Sequence, residues 1–223
     1  MLDYRIENAL LIDGSGRPGI PGSLGVKNGK IAALGRLDGE TTAQRIDAKG
    51  RCLTPGFLDI HRHADAALFR PDFGRAELAQ GLTTIVNGNC GLSLAPAPCA
   101  RREIYGYLEP VTGLPDDALA TDTMAAYLDA VSKTPLPIHI GMLAGGGTVR
   151  TAAYGFEPGP LPPEALREVH RLLEESLSGG ALGISLGLGY APECFYTTQE
   201  LIAALAPLRD SGVPITVHMR QEG

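Results

Sequence analysis

Pro55-Gly56-Phe57-Leu58-Asp59-Ile60-His61-Arg62-His63 is the stretch on which the fold turns. A Pro-Gly pair breaks the chain, an apolar run follows, and two imidazoles stand two residues apart at its end. Residues i and i+2 of a strand share a face, so His61 and His63 are presented together. Before this point the sequence reads as strands alone. After it, short apolar strands (57–60, 83–87, 138–143, 181–188 and 214–219) alternate with helical stretches. Residues 121–133 and 162–178 read as amphipathic helices, the second with Leu166, Val169, Leu173 and Leu177 at helical spacing. Residues 197–210 open on the capping box Thr197-x-x-Glu200, and Pro207 is expected to shorten or kink that helix. This alternation predicts an α/β fold, with right-handed βα units around a parallel sheet. Residues 91–120 are long for a βα connection, a length that usually covers a site.

Upstream, an apolar run over 4–12 stops at Asp13-Gly14-Ser15-Gly16, and the runs 23–27 and 30–35 are joined by Asn28-Gly29. That dipeptide supplies the two positive-φ positions of a tight hairpin. The chain therefore divides into a small β module over 1–54 and five βα units over 55–223.

Sites on parallel sheets gather where the strands end. The first of these strands brings His61 and His63 there. The second ends Asn87-Gly88-Asn89-Cys90-Gly91, placing a thiol, and the fifth ends Val217-His218-Met219, placing a third imidazole. Singly, each has a plainer reading: Cys90 as a small buried hydrophobe, the histidines as ordinary strand-end residues. Jointly, imidazole and thiolate at one end of a sheet are a zinc donor set. Asp65 can accept from a ligand's other ring nitrogen, or cap a helix. A lysine bridging two metals is excluded, because Lys27, Lys30, Lys49 and Lys133 all fall away from these strand ends. Cys90 is then the candidate bridge. His139 and His170 read as structural.

A net charge of −6 argues against nucleic acid as the main partner. With 44% hydrophobic and 20% charged residues, the chain is neither disordered nor fibrous. No apolar run reaches the ~18 residues of a membrane span, no signal peptide is apparent, and Cys52, Cys90, Cys99 and Cys194 are too scattered for a disulfide scaffold. A cytoplasmic protein without a membrane partner is expected.

The sequence resembles the amidohydrolase superfamily and, within it, the N-acyl-D-amino-acid deacylase group. The matching stretches are residues 9–16 and 55–63, Gly88-Asn89-Cys90-Gly91, Gly147-Thr148-Val149-Arg150, residues 180–185, Tyr190-Ala191-Pro192 and His218-Met219-Arg220-Gln221-Glu222-Gly223. The resemblance implies a TIM-type (β/α) barrel carrying a small β-sandwich. It also implies a hydrolase using one or two zinc ions, with Cys90 a ligand beside His61, His63 and His218. The implied substrate is a small N-acyl-D-amino acid, cleaved to a D-amino acid and a carboxylate. Tyr190 is placed to help hold the oxyanion, while Arg150 and Arg220 read either as partners of a substrate carboxylate or as surface or helix-dipole charges.

Three departures accompany the match. Gly146 stands where the family has a histidine, so a polar contact is expected to be missing. Gln221 stands where an acidic residue or Asn is usual. The family also continues through further barrel strands carrying another histidine ligand and a general-base aspartate, neither found in these 223 residues. The chain thus reads as a partial barrel, strands one to five, that needs the remaining half or a second chain. A cyclic-amide hydrolase of the dihydroorotase or hydantoinase kind, and a non-catalytic subunit, are the alternatives.

Overall fold

The computed structural model describes residues 1–98 and 101–221, and only the backbone of residues 101 and 102. Cys99, Glu222 and Gly223, quoted above, lie outside the described residues. Two compact units form, Met1–Gly56 and Phe57–Gly223.

The first unit is a single mixed sheet. Strands β1 (Leu2–Leu11), β2 (Ile20–Lys27), β3 (Lys30–Gly35), β4 (Thr42–Asp47) and β5 (Cys52–Leu53) take the order β3-β2-β1-β4, with β5 also on β1. The Asn28-Gly29 hairpin forms as expected: Lys27 pairs with Lys30, and the two turn residues have φ of 53° and 70°. Arg5 is buried, with Nη1 donating to the Leu37 carbonyl at 2.8 Å and Nη2 to Glu7 at 2.7 Å, so its charge is neutralised inside the unit. The implied sandwich is not formed by these residues alone, since a sandwich needs a second apolar layer and Ile20, Ile31, Leu34 and Ile46 remain exposed.

The second unit holds a parallel sheet of β6 (Phe57–Asp59), β7 (Leu82–Asn87), β8 (His139–Gly145), β9 (Gly183–Gly187) and β10 (Ile215–His218), neighbours in sequence being neighbours in the sheet. The sheet curls. Asn89, just past β7, donates to the Ile60 carbonyl beyond β6 at 3.1 Å and accepts from Thr216 on β10 at 3.3 Å. One side chain thus touches both edge strands, which a flat five-stranded sheet does not permit. Ser185 on β9 makes a similar inner bridge, accepting from Gly91 N at 2.8 Å and donating to Gly88 O at 2.5 Å. The second unit is thus a parallel half-barrel, and the first a separate sheet.

Helices α1 (Arg75–Ala79), α2 (Arg101–Thr112), α3 (Met124–Lys133), α4 (Gly146–Tyr154), α5 (Pro163–Ser178) and α6 (Thr198–Ala204) join the strands. On α5 the buried stripe is Ala165, Val169, Leu172, Leu173 and Ser176, with Leu166 and Leu177 at its margins. The Thr197–Glu200 capping box is formed at α6, and the helix stops three residues before Pro207, which sits in a 3-10 turn. Three helices were not legible, the first being the short α1. α2 occupies the long connection despite Gly106 and Pro110, and α4 begins on Gly146-Gly147, residues of poor helix propensity. Packing explains α4, whose residues from Gly146 to Ala152 are all buried. Side chains at Gly145 or Gly147 would meet the Gly91 carbonyl at 2.5 and 2.9 Å. Fully buried Leu68, Ile85, Met124, Tyr127, Met142, Leu172 and Ile184 fill the core. No helix among the described residues is long and apolar enough to cross a membrane.

Candidate metal centre

The end of β6 is positioned from behind. Arg62, between the two histidines, turns away to pair with buried Glu77 of α1 at 2.7 Å, while its backbone N–H donates to the Val86 carbonyl at 3.0 Å. Ala64 N donates to the buried Asn87 side chain at 2.9 Å, tying the histidine segment to the end of β7. His61 and His63 lie just past the end of β6 at Asp59, on either side of Arg62, and their ring centroids are 5.5 Å apart.

Beyond β7 the chain makes a tight turn. Gly88 and Gly91 have φ of 75° and 72°, and Cys90 between them has a φ of 58°, which a cysteine adopts only when its surroundings impose it. This conformation aims the thiol back across the strand ends, to 3.2 Å from His61 Nε2. Among the described residues, His61, His63 and Cys90 offer one donor atom each, all within 4.8 Å of one another. The set fits a zinc ion on three counts. Two imidazoles and a thiol are its preferred donors. His63 Nδ1 is buried with no hydrogen-bond partner among the described residues. Burial, and secondarily the charge of His61, hold the His63 imidazole below its usual pKa, favouring the neutral form a metal binds.

His218 is not in that group of three. Its ring lies 5.0 Å from the Tyr190 ring, over Gly189. Tyr190 donates its hydroxyl to the Cys90 carbonyl. Burial, with Cys90 and Glu193 nearby, raises its pKa well above the usual phenol range, so it remains a donor. Arg150 and Arg220 both donate to backbone carbonyls. Arg150 is wholly buried, donates to the carbonyls of Glu157 at 3.0 Å and Gly159 at 3.2 Å, and stacks by Tyr196 and Phe195. Arg220 donates to Tyr196 O at 2.6 Å. Asp65 is fully buried, and burial raises its carboxyl pKa to about 7. His139 starts β8 at the surface, and His170 Nε2 meets Ala203 O at 2.8 Å, a structural contact.

Sequence reasoning missed Glu193. Its carboxyl is buried, with Oε2 accepting from Gly187 N at 2.7 Å and the Gly147 amide beside the carboxyl. Burial raises its pKa to about 8. A side chain at Gly146 would run into Glu193 Oε1, and also meet Leu186 Cδ2 at 2.9 Å. The space over Gly146 is therefore filled by a carboxyl reaching in from the turn after β9. The only local signal was its place three residues after Tyr190.

The amidohydrolase family model matches residues 44–207. The chain belongs to the amidohydrolase family. It is 36% identical over 221 residues to the D-aminoacylase of Alcaligenes xylosoxydans xylosoxydans, covering 99% of this chain and 45% of that one. Among solved structures, the N-acyl-D-glutamate deacylase of Bordetella bronchiseptica, complexed with zinc and a phosphonate mimic of the tetrahedral intermediate, superposes with a TM-score of 0.86. It is 30% identical and covers 99% of this chain and 46% of that one. The L-hydantoinase of Arthrobacter aurescens shares the fold at a TM-score of 0.56 and 20% identity, covering 98% of this chain and 41% of that one. The chain spans a little under half the length of the curated relatives it matches most strongly.

Proposed function

We propose that this amidohydrolase acts, as part of a complete barrel, on the linear amide of small N-acyl-D-amino acids, releasing a D-amino acid and a carboxylate. The observation that carries the metal dependence is the meeting of His61, His63 and Cys90 at the strand ends. These residues would hold zinc, with His218 a further ligand once an ion draws it in. Bound zinc supplies Lewis acidity, polarising an amide carbonyl and making water a nucleophile near neutral pH.

The chain's own residues prepare the site. The bond from Tyr190 to the Cys90 carbonyl keeps a phenol beside the metal donors, and its release would free the one phenolic proton for the developing oxyanion. No carboxylate joins the three donors among the described residues, so the proton of the attacking water would pass to an aspartate on another strand. Those strands would add at the open edges of the sheet, where Phe57, Leu58 and Ile60 on one side and Val217 and Met219 on the other are exposed. They would come from the same polypeptide or a partner. Arg150 is buried on carbonyls, so the substrate carboxylate would be recognised by exposed Arg220 or by a residue on those further strands.

Metal analysis and turnover test this reading. Purified protein should carry zinc that Cys90→Ser and His61→Ala lose, and the zinc-loaded complete enzyme should cleave N-acetyl-D-amino acids in preference to their L-forms and to hydantoin. Full zinc retention in both variants would overturn the site. Preference for hydantoin would move the substrate to cyclic amides.

A further inference from the structure

Around the metal donors, one buried acidic group has no part in the chemistry above. Glu193 is 1% exposed, yet lies on a turn rather than in a helix core. Its carboxyl is surrounded by glycines from three separate segments: Gly91 after β7, Gly146 and Gly147 opening α4, and Gly187 ending β9. A Cβ on Gly91 or Gly146 would collide with the carboxyl oxygens, so the backbone beside Cys90 is in direct contact with this side chain. Oε2 takes the Gly187 amide and the Gly147 amide lies beside the carboxyl, while Oε1 is buried with no hydrogen-bond partner among the described residues. Leaving such an atom unsatisfied costs free energy, so the position is held by what the carboxyl does for its neighbours.

Those neighbours converge on Cys90. Tyr190, in the same turn, grips the Cys90 carbonyl, and Glu193 bears on the next residue, Gly91. Gly91 is further pinned by Ser185 at its N–H and by Thr148 N at its carbonyl, the latter at 3.2 Å. The left-handed conformation of Cys90 is strained for a residue with a side chain and persists only if both flanks are fixed. We propose that Glu193 is a positioning residue for the thiol ligand: locked on the Gly187 amide and seated beside that of Gly147, its carboxyl holds Gly91 and so keeps Cys90 Sγ turned toward His61. This rests on the metal reading above, and it assigns to a residue outside the ligand set the task of preforming the site.

The test uses cobalt as a spectroscopic probe in the purified protein. Wild type should show a thiolate-to-cobalt absorption band that Cys90→Ser abolishes. Glu193→Ala should weaken cobalt affinity by about 10- to 100-fold, the usual cost of losing a group that orients a ligand. It should also lose the band at stoichiometric metal and speed alkylation of Cys90 in the metal-free protein. Glu193→Gln, which keeps the acceptor and the volume, should recover wild-type behaviour within a few-fold. Leu173→Ala, a core truncation far along α5, controls for lost stability and should leave the band intact. If Glu193→Ala does not fold, Glu193→Asp, too short to reach both the Gly187 amide and Gly91, takes its place with the same expectation. Wild-type affinity, band and alkylation rate in the Ala or Asp variant overturn the proposal, as does equal loss in Leu173→Ala. Absence of the band in wild type overturns the metal reading instead, and Cys90 alkylation then decides the positioning role alone.

Discussion

Raising the pH from 5 to 8 should destabilise this protein through Glu193, and Glu193→Gln should remove that part of the loss. Burial lifts the Glu193 carboxyl from 4.5 to about 8 in the folded chain. The unfolded chain releases this proton near 4.5 and the folded chain only near 8, so between those values the folded state binds more protons. Stability therefore falls with rising pH across the window and levels off above it. At about 1.4 kcal/mol for each pH unit, the full effect is about 5 kcal/mol, comparable to the whole stability of a marginal domain. Glutamine mimics the neutral acid and does not titrate. Asp65, raised from 3.8 to about 7, adds a slope of the same sign in both proteins. His63, lowered from 6.5, adds an opposite one near and below that value, again in both. The difference between wild type and Glu193→Gln isolates Glu193. The chain has no tryptophan, so urea unfolding followed by far-ultraviolet circular dichroism, with a chelator present, is the assay. Parallel stability–pH curves for the two proteins between pH 5 and 8 would refute the reasoning.

Other substitutions probe the same strand ends. Gly88→Ala places a methyl on the Leu143 carbonyl at a φ of 75°, and should cost about 3 kcal/mol or more in urea unfolding, from steric overlap plus left-handed strain. Gly146→Ala should be severe alone but milder beside Glu193→Gly, because the added methyl meets the Glu193 carboxyl. A double-mutant cycle should give a coupling of about 1–2 kcal/mol. Zinc should raise the melting temperature of the wild type and not of Cys90→Ser, by calorimetry at equal metal excess. Thr197→Ala, which removes the cap of α6, should cost about 1 kcal/mol and leave zinc content unchanged.

What the sequence made legible follows from the range of the signals. The Asn28-Gly29 hairpin, the five parallel strands and the capping box at Thr197 are each written within a few neighbouring residues, and each formed where expected. His61 and His63 were readable because they stand two apart at the end of one apolar run, and Cys90 because it ends a strand in a Gly-Asn-Cys-Gly turn. α4 was hidden because its glycines are poor helix formers, chosen for closeness to Gly91 rather than for propensity. The partners of the two arginines were hidden for a related reason. Arg is the residue that reads a carboxylate bidentately, but backbone carbonyls compete for the same guanidinium, and sequence does not reveal where carbonyls of the 155–159 and 194–196 turns will face.

Glu193 is the extreme case. Alone, it is an acidic residue in a turn, and an acidic residue in a turn is ordinarily exposed. What buries it is a set of absences: no side chain at positions 91, 146 or 147, drawn from segments up to 56 residues apart. The missing polar contact inferred at Gly146 and the unremarked acid at 193 are two views of one cavity, emptied by one segment and filled by another. Such a pair leaves no local period, because its logic is volume rather than pattern. The carboxyl that fills that space also reaches the backbone beside the thiol. Substitutions at either position should therefore register at Cys90 before they register elsewhere in the fold.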